Sequence, residues 1–243
     1  MIDIQVKMKH ILHILTLLLL VPSALWAQDL EYQVELGGGL GLTSYLGDIS
    51  SSPLSDPGLM GGVVARRNLN PRMVVKGNLL FGHISGSSEG FFIPNDVNDH
   101  TPAGGQPTYV AFKRNLLDLG AQFEMNFWGY GLGASYKELS AITPYATLGL
   151  GFTLAMGGGA TDFALNLPVG LGVKYKIKPR VNIGAEWTVR FTTTDKLDVT
   201  NTSPQLADPY GIKGDFMKNK DCYSSLLLFV TYDLCPKLRK CNN

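Results

Sequence analysis

Two side chains that could serve as a nucleophile and its base, Ser85 and His83, lie two positions apart in this chain of 243 residues. A hydrolytic triad also needs an acidic group that orients the histidine, and it is recognised by that geometry. No acidic residue lies at a spacing that would supply this group. We therefore interpret both side chains as ordinary polar residues near a loop, and we predict that the protein is not an enzyme.

The sequence lacks the residue patterns that bind metals, phosphate groups or nucleic acids. The cysteines and histidines show no zinc-ligand spacing, and no helix follows the glycine run at 37–39, as it would after a phosphate-binding loop. The net charge of +1 gives no broad basic field for nucleic acid. We predict no catalytic residue, no metal site, no cofactor and no nucleic-acid partner, and the residues identify no small-molecule substrate.

The charged residues instead alternate with apolar ones. From Leu117 to Phe127 every second residue is apolar, and the residues between them include Asp118, Gln122 and Glu124. Carboxylates are expensive against lipid, so this second face must point to an interior. The same alternation in other segments places seven charged side chains in that interior: Glu35, Lys76, Asp118, Glu124, Lys174, Glu186 and Arg190.

The elements that position these charges are strands. From Phe163 to Thr192 the odd-numbered positions are nearly all apolar on both sides of the turn signal at 178–180, and most even-numbered ones are small or polar. An apolar face of this length needs a partner layer or lipid, and a transmembrane strand needs only about 9–11 residues. This stretch predicts a membrane-spanning hairpin.

Six more alternating segments complete the pattern: 32–42, 60–68, 73–81, 117–127, 144–155 and 222–234. The charged fraction of 17% and the 28 glycines also fit a barrel better than an ordinary soluble domain. We predict an all-β fold, an eight-stranded antiparallel transmembrane β-barrel of the outer-membrane type, over residues 28–234. Because such a barrel is only just filled by its own side chains, and buried charges must be paired, we expect an ion-paired plug and no open pore.

Short turns alternate with long loops: turns at 69–72 and 176–180, loops at 84–108 and 193–221. This is the arrangement that outer-membrane barrels show between their periplasmic and outer sides. Because the number of strands is even, both termini are expected in the periplasm. The connection at 128–143 is long for a periplasmic turn, and the one at 156–162 is short for an outer loop. The first contains Trp128, Tyr130 and Tyr136, which favour the membrane–water boundary.

Residues 1–27 form a separate unit. Lys7 and Lys9 precede an apolar run at 11–21 that is too short for a spanning helix, and the segment PSALWA at 22–27 ends on Ala27 as the cleavage position. This pattern predicts a secretory signal peptide, with a retained helical anchor as the alternative. No later apolar run has the length of a membrane-spanning helix, so an integral membrane protein with this sequence must be a barrel.

The cysteines lie at the end of the chain. Cys222 and Cys235 are separated by the length of the eighth strand, which is far beyond the span of a disulfide. Cys235 and Cys241 share the basic tail 235–243 and could form a small disulfide in an oxidising periplasm. The alternatives are free thiols or a bond to a partner subunit. The tail itself is either solvated or a contact for a periplasmic partner.

Several motifs together resemble a known family: GLGLTSYLGDI (39–49), RRNLNPRMVVKGNLLFGHISG (66–86), NLLDLGAQFEMNF (115–127), TPYATLGLGF (143–152) and LPVGLGVKYKIKPRVNIGAEWTVRFTTTDKLDVT (167–200). They are similar to the PorG-like small outer-membrane barrels of the type IX secretion system. The resemblance implies a structural subunit that links a periplasmic ring complex to the outer membrane. The implied partners are outer-membrane lipid and the ring subunits.

A second class of function is compatible with the same barrel. A free-standing small outer-membrane barrel would stabilise the envelope or bind an extracellular ligand through the loops at 84–108 and 193–221. Few aromatic or charged residues in these loops form a recognisable binding face, so they identify no ligand. The two classes differ in which side of the membrane carries the partner surface.

Overall fold

The structure, a computed structural model, describes residues 32–46, 56–87, 111–132, 139–194, 197 and 220–236. Eight strands close into a barrel in which each strand pairs with its sequence neighbours and the first pairs with the last, all antiparallel. They are β1 (Tyr32–Leu46), β2 (Gly58–Asn70), β3 (Met73–Ser87), β4 (Ala111–Asn126), β5 (Ile142–Gly157), β6 (Ala160–Lys178), β7 (Val181–Thr192) and β8 (Cys222–Pro236). The predicted fold class is confirmed. Among the described residues, no helix is long and apolar enough to cross a membrane.

Each strand presents one face to the lumen and one to the outside. On β4, the side chains of Leu119 and Met125 are 54% and 52% exposed, whereas Asp118 and Glu124 are buried. The same alternation runs around the barrel, because successive residues of a strand point to opposite sides. The result is an apolar outer wall around a polar and partly aromatic lumen.

The two ends of the barrel differ in their connections. Because eight strands alternate in direction, the first residue of β1 and the last of β8 lie at the same end, which we call the terminal end. It also carries the connections at 71–72, 127–141 and 179–180. The opposite loop end carries the connections at 47–57, 88–110, 158–159 and 193–221. The predicted signal peptide at 1–27 lies outside the described residues.

Several strands are longer than the alternation predicts. β1 continues to Leu46 because Tyr45 and Leu46 still pair with the first residues of β8. β3 takes up residues to Ser87 from the predicted 84–108 loop, since Ser87 pairs with Ala111 at the start of β4. At the other end, Pro236 pairs with Tyr32, so β8 ends two residues beyond the predicted boundary at 234. Backbone hydrogen bonding between strands thus continues beyond the residues in which apolar and polar side chains alternate.

The connection predicted at 156–162 is a two-residue turn between β5 and β6. Gly157, Gly158 and Gly159 have φ angles of 123°, 64° and 81°. Residues with side chains rarely adopt this left-handed region, so three consecutive glycines suit a turn this tight. The prediction placed the strand ends too far apart because glycines carry no alternation signal.

Candidate functional site: the barrel lumen

The loop-end half of the lumen is an apolar core enclosed by the barrel. Tyr45 from β1, Ile84 from β3, and Phe112 and Leu116 from β4 are all buried there. The rings of Tyr45 and Phe112 meet edge to face with their centroids 5.0 Å apart, a favoured geometry for aromatic pairs. This part of the barrel is filled as the interior of a soluble protein would be.

The mouth of the barrel at the loop end is held by the described parts of the 193–221 connection. Leu197 is fully buried, and its backbone N–H donates to Asp221 Oδ2 at 2.9 Å. Tyr45 Oη donates to the other oxygen of the same carboxylate at 2.5 Å. Arg114 donates to Asp162 Oδ2 at 2.8 Å and to the carbonyl of Ala155 at 2.8 Å. Arg114 Nη1 also donates to the carbonyl of Leu197 at 3.5 Å. Tyr45 and Arg114 thus anchor the connection to the barrel wall at Asp221 and Leu197.

Below this core, Asp118 is the acceptor of a buried network. Asn78, Asn166 and Tyr223 each donate to its carboxylate at 2.8–2.9 Å. Arg190 Nε lies 3.2 Å from Asp118 Oδ1 as an ion pair, while its Nη1 donates to Ser225 at 2.6 Å. One carboxylate from β4 thereby connects side chains of β3, β6, β7 and β8.

At mid-height, Glu124 is surrounded by three cations. Arg66 Nε lies 2.9 Å from its Oε1, Lys174 Nζ lies 3.4 Å from its Oε2, and Lys76 Nζ lies 3.6 Å from its Oε1. The Arg66 guanidinium also sits 4.2 Å above the ring centroid of Phe229. All four charged side chains are 2% exposed or less. The protein therefore shields the whole cluster from solvent.

Glu186 balances the same cluster from the opposite wall. Lys76 Nζ lies 2.6 Å from both of its oxygens, and Tyr145 Oη donates to Oε2 at 2.7 Å. Tyr145 can lie flat here because Gly172 has no side chain: a Cβ at that position would lie 2.6 Å from Tyr145 Oη. The ion pairs of Glu124 and Glu186 thus join β2, β3, β4, β6 and β7 across the lumen, and the Tyr145 hydrogen bond adds β5.

Near the terminal end, the carboxylates of Asp233 and Glu35 accept further hydrogen bonds inside the lumen. Glu35 is the remaining one of the seven predicted charges. Lys176 forms an ion pair with Asp233, and Asn182 Nδ2 donates to Asp233 Oδ1 at 2.6 Å. Glu35 was expected to oppose a cation, but its carboxylate instead accepts from Asn68 Nδ2 at 2.9 Å and Thr231 Oγ1 at 3.2 Å. All seven predicted charges therefore face the lumen, and six of them take part in ion pairs with the described residues.

Tyr130 closes the terminal end, and the expectation that it lies at the membrane–water boundary is wrong. Its side chain is 8% exposed, and its hydroxyl donates to Asn182 Oδ1 at 2.7 Å. The ammonium groups of Lys174 and Lys176 lie 4.9 and 5.4 Å from its ring centroid. Burial, aided by the charges of Glu35 and Asp233, raises the pKa of Tyr130, so the hydroxyl stays a donor.

The connection that carries Tyr130 is tied to the neighbouring turn. The Tyr130 N–H donates to the carbonyl of Pro71 at 3.0 Å, and Gly131 and Ser140 bridge the two arms of the connection. Trp128 in the same connection is 52% exposed, as expected for a boundary residue, and Tyr136 lies outside the described residues. This connection thus places Tyr130 as a lid over the terminal end of the lumen.

The Tyr130→Phe variant tests this lid. We expect it to lower the free energy of unfolding by about 1 kcal/mol, because Asn182 loses a buried donor. Chemical unfolding of the refolded barrel would measure the loss. Tyr175→Phe is the matched control, since Tyr175 faces outward and is 45% exposed, and it should leave stability unchanged. Equal stability of the two variants would contradict the role of the Tyr130 hydroxyl.

Sequence reasoning missed five charged residues of the lumen: Arg66, Arg114, Asp162, Lys176 and Asp233. Arg66 was hidden because both faces of β2 are rich in Gly, Val and Ala around it. The others lie near predicted strand ends, although Lys176 and Asp233 follow the same alternation as their strands. Continuing the two-residue period beyond the predicted strand ends places Arg114, Asp162 and Lys176 on the inward face.

The remaining predicted groups lie away from the lumen. His83 and Ser85 are in β3 on the outer wall near the loop end, and Ser85 Oγ donates to the exposed Asp56 carbonyl at 3.5 Å. Cys222 Sγ donates to the carbonyl of Leu46 at 2.9 Å. Cys235 is exposed, and its pairing with Cys241, which lies outside the described residues, stays a prediction.

A closed eight-stranded barrel with an apolar outer wall and a polar, packed lumen is an integral membrane barrel. The chain belongs to the outer membrane protein beta-barrel domain family, whose model matches residues 13–207. It is therefore a small outer-membrane β-barrel protein.

Solved structures of other small barrels are similar in outline. Neisserial surface protein A shares 14% identity and a TM-score of 0.47, over 83% of this chain and 97% of that one. Ail, the attachment invasion locus protein of Yersinia pestis, shares 13% identity and a TM-score of 0.44, over 84% and 100%. The N-terminal barrel domain of Pseudomonas aeruginosa OprF shares 14% and 0.42, over 84% and 98%. Likenesses at this level carry no argument about function, and no curated protein matches the chain.

Proposed function

We propose that this protein is a non-conducting structural barrel that anchors a type IX secretion machine to the outer membrane, with its terminal end in the periplasm. The observation that carries the structural part is the charge cluster around Glu124 and Glu186, which joins five strands across the lumen. The link to secretion is supported by the PorG-like motifs. On this proposal the partners are outer-membrane lipid and the periplasmic ring subunits.

The filled lumen predicts that the pure protein conducts no steady ion current. Planar bilayers containing the refolded barrel should show a baseline close to that of lipid alone, because the paired side chains leave no continuous water path. A variant that removes two lumen side chains, Arg66→Ala with Tyr130→Ala, is the control for a barrel with an opened interior. Large, stable conductance from the unaltered protein would contradict the proposal that its filled lumen blocks ion flow.

The terminal end offers a defined surface for a periplasmic partner. Arg72 is exposed in the first short turn, and Lys178 is exposed as the last residue of β6 before the second. The backbone of the first turn is held by Asn126 N–H, which donates to the Arg72 carbonyl at 2.7 Å. A turn held in this way presents its side chains in one position. We expect ring subunits to contact this surface and the tail at 235–243.

Site-specific crosslinking in native membranes tests the secretion role. Photoreactive side chains at positions 72 and 178 should capture periplasmic ring subunits, whereas one at Asp56, exposed at the loop end, should not. Gentle detergent pull-down of the tagged protein should recover the same subunits at a fixed ratio. A barrel recovered alone, with no crosslink at either turn, would reject the secretion role and leave the structural barrel.

The alternative is a free-standing barrel that stabilises the envelope or binds a ligand at the loop end. One observation favours it: Leu197 and Asp221, which belong to the 193–221 connection, are held by hydrogen bonds at the loop end of the barrel. Deleting 199–218 should abolish function if this alternative holds. A machine subunit would tolerate the deletion better than changes at the terminal end.

A further inference from the structure

Arg180, in the turn between β6 and β7 at the terminal end, is held between two aromatic rings. Its guanidinium carbon lies 4.8 Å from the ring centroid of Tyr232 and 5.5 Å from that of Tyr32. Both tyrosines face outward on β8 and β1. This places a cation at the edge of the outer wall, where tyrosines favour the boundary between lipid and water.

The charge of Arg180 is not neutralised by a carboxylate in the part of the chain that the structure describes. Its Nε donates to the backbone carbonyl of Asp233 at 3.3 Å, while the Asp233 side chain points inward to Lys176. The ion pairs among the described residues do not include Arg180. Its two terminal nitrogens, positioned by the rings, are therefore suited to receive an anionic oxygen from outside the barrel.

An apolar groove of about 920 Å³ lies on the outer wall next to this cation. Its lining includes the outward-facing residues Gly38, Tyr175, Ile183, Ala185, Leu228 and Val230. Gly38 and Ala185 make the wall shallow at its centre. Ile183 pairs with Val230, and the next outward-facing pair toward the terminal end is Val181 with Tyr232, beside Arg180. Along the strands, the groove therefore begins about 7 Å from the level of Tyr232, one of the two rings that hold Arg180.

We propose that this groove and Arg180 form a binding site for one glycerophospholipid. The lipid phosphate would accept hydrogen bonds from the Arg180 guanidinium, and an acyl chain would lie in the groove over Gly38 and Ala185. An apolar groove with an unneutralised cation about 7 Å beyond its end matches a molecule with an acyl chain and a phosphate, whereas a second protein chain would need a partner for the charge. The inference rests on the proposed orientation, in which the terminal end meets the phospholipid leaflet on the periplasmic side.

Native mass spectrometry of the full mature barrel in mild detergent tests the site. Titration with dioleoyl phosphatidylglycerol should give a discrete species with one bound lipid. Arg180→Gln should weaken this binding about tenfold, since it removes a charge-assisted hydrogen bond. Ala185→Phe should weaken it similarly by filling the groove. Inorganic phosphate at the same concentration should not displace the lipid, because it makes no contact with the groove.

Matched controls separate a site from general lipid adsorption. Arg72→Gln removes an exposed arginine from another turn at the terminal end, and Ala146→Phe adds a ring to an outward-facing alanine of β5 that is outside the groove. Both should bind lipid as the unaltered protein does, and the mobility of unboiled samples on gels verifies folding of every variant. Equal affinity in all variants, or equal loss in test and control variants, would overturn the proposal. A dimer that disappears in Ala185→Phe without any lipid-bound species would assign the groove to a second copy.

The result is separable from the proposed function. Lipid binding to the purified barrel requires no secretion partner, so a failed crosslink to ring subunits leaves the lipid result unaffected. Conversely, Ala185→Phe removes the lipid site without changing the lumen or either short turn at the terminal end, so it leaves the crosslinks at positions 72 and 178 as a separate test.

Discussion

Replacing Glu124 by glutamine is expected to lower the free energy of unfolding of the barrel by about 3–5 kcal/mol. The reason is that Glu124 is the shared anion of three buried cations, with its oxygens 2.9 Å from Arg66, 3.4 Å from Lys174 and 3.6 Å from Lys76. Glutamine keeps the size and one acceptor, so the loss measures charge rather than volume. After the change, Glu186 is the one remaining anion against three cations of the cluster.

Glu35→Gln is the matched control for this prediction. Glu35 is equally buried, but its two carboxylate oxygens accept from an amide and a hydroxyl. In glutamine the oxygen can accept from Asn68, and the NH2 group can donate to the Thr231 hydroxyl, which rotates to accept. The loss from Glu35→Gln should be about 1 kcal/mol. The measurement is chemical unfolding of the refolded barrel, followed by the fluorescence of Trp128 and Trp187, both of which are about half exposed.

A double variant shows whether electrostatic imbalance is the cause. Adding Lys174→Met to Glu124→Gln removes one of the uncompensated cations and keeps most of the volume, so it should restore part of the lost stability. If Glu124→Gln cost no more than Glu35→Gln, or the double variant were less stable still, the charge cluster would not be the element that holds the lumen together.

The inward and outward faces could be predicted from alternation alone. Asp118 and Glu124 on β4, and Lys174 on β6, lie in the lumen because each strand shows a period of two residues that a closed barrel preserves. The number of strands follows from counting such segments. Neither step needs knowledge of how one strand pairs with the next.

The partners inside the lumen could not be predicted in this way. Lys76 and Glu186 are 110 positions apart in sequence, and their contact depends on the register of every strand pair around the barrel and on its closure. Tyr130 was misplaced for a similar reason. Its buried position depends on the hydrogen bond of its backbone to Pro71 in a different connection, and its residue type alone favours the membrane boundary.

Strand ends were the other source of error. Residues such as Thr43, Ser44 and Gly86 carry little hydrophobic contrast, so alternation gives no signal where β1 and β3 extend past the apolar wall. The backbone nevertheless continues to pair there, because unpaired N–H and C=O groups next to a membrane are costly. Arg114 and Asp162 were missed because they lie in the corresponding extensions of β4 and β6, before the predicted strand starts at 117 and 163.

Leu150→Arg is expected to destabilise the barrel in lipid bilayers by about 2–4 kcal/mol. Leu150 lies at the middle of β5 and is 72% exposed on the outer wall, which in a membrane-spanning barrel places it near the bilayer midplane. The arginine would have to bring its charge into hydrocarbon or distort the lipid around it. Unfolding in vesicles, with the folded fraction followed by gel mobility of unboiled samples, measures the cost.

Leu59→Arg makes the same substitution at similar exposure but a different depth. Leu59 is 68% exposed and is the second residue of β2, at the loop end, where an arginine reaches water and should cost about 0–1 kcal/mol. A larger cost at position 150 is attributed to depth in the bilayer, since the wild-type residue, the new residue and the exposure of the side chain match. Equal costs would mean that the middle of β5 does not lie in hydrocarbon, and the placement of the apolar wall across the membrane would have to be revised.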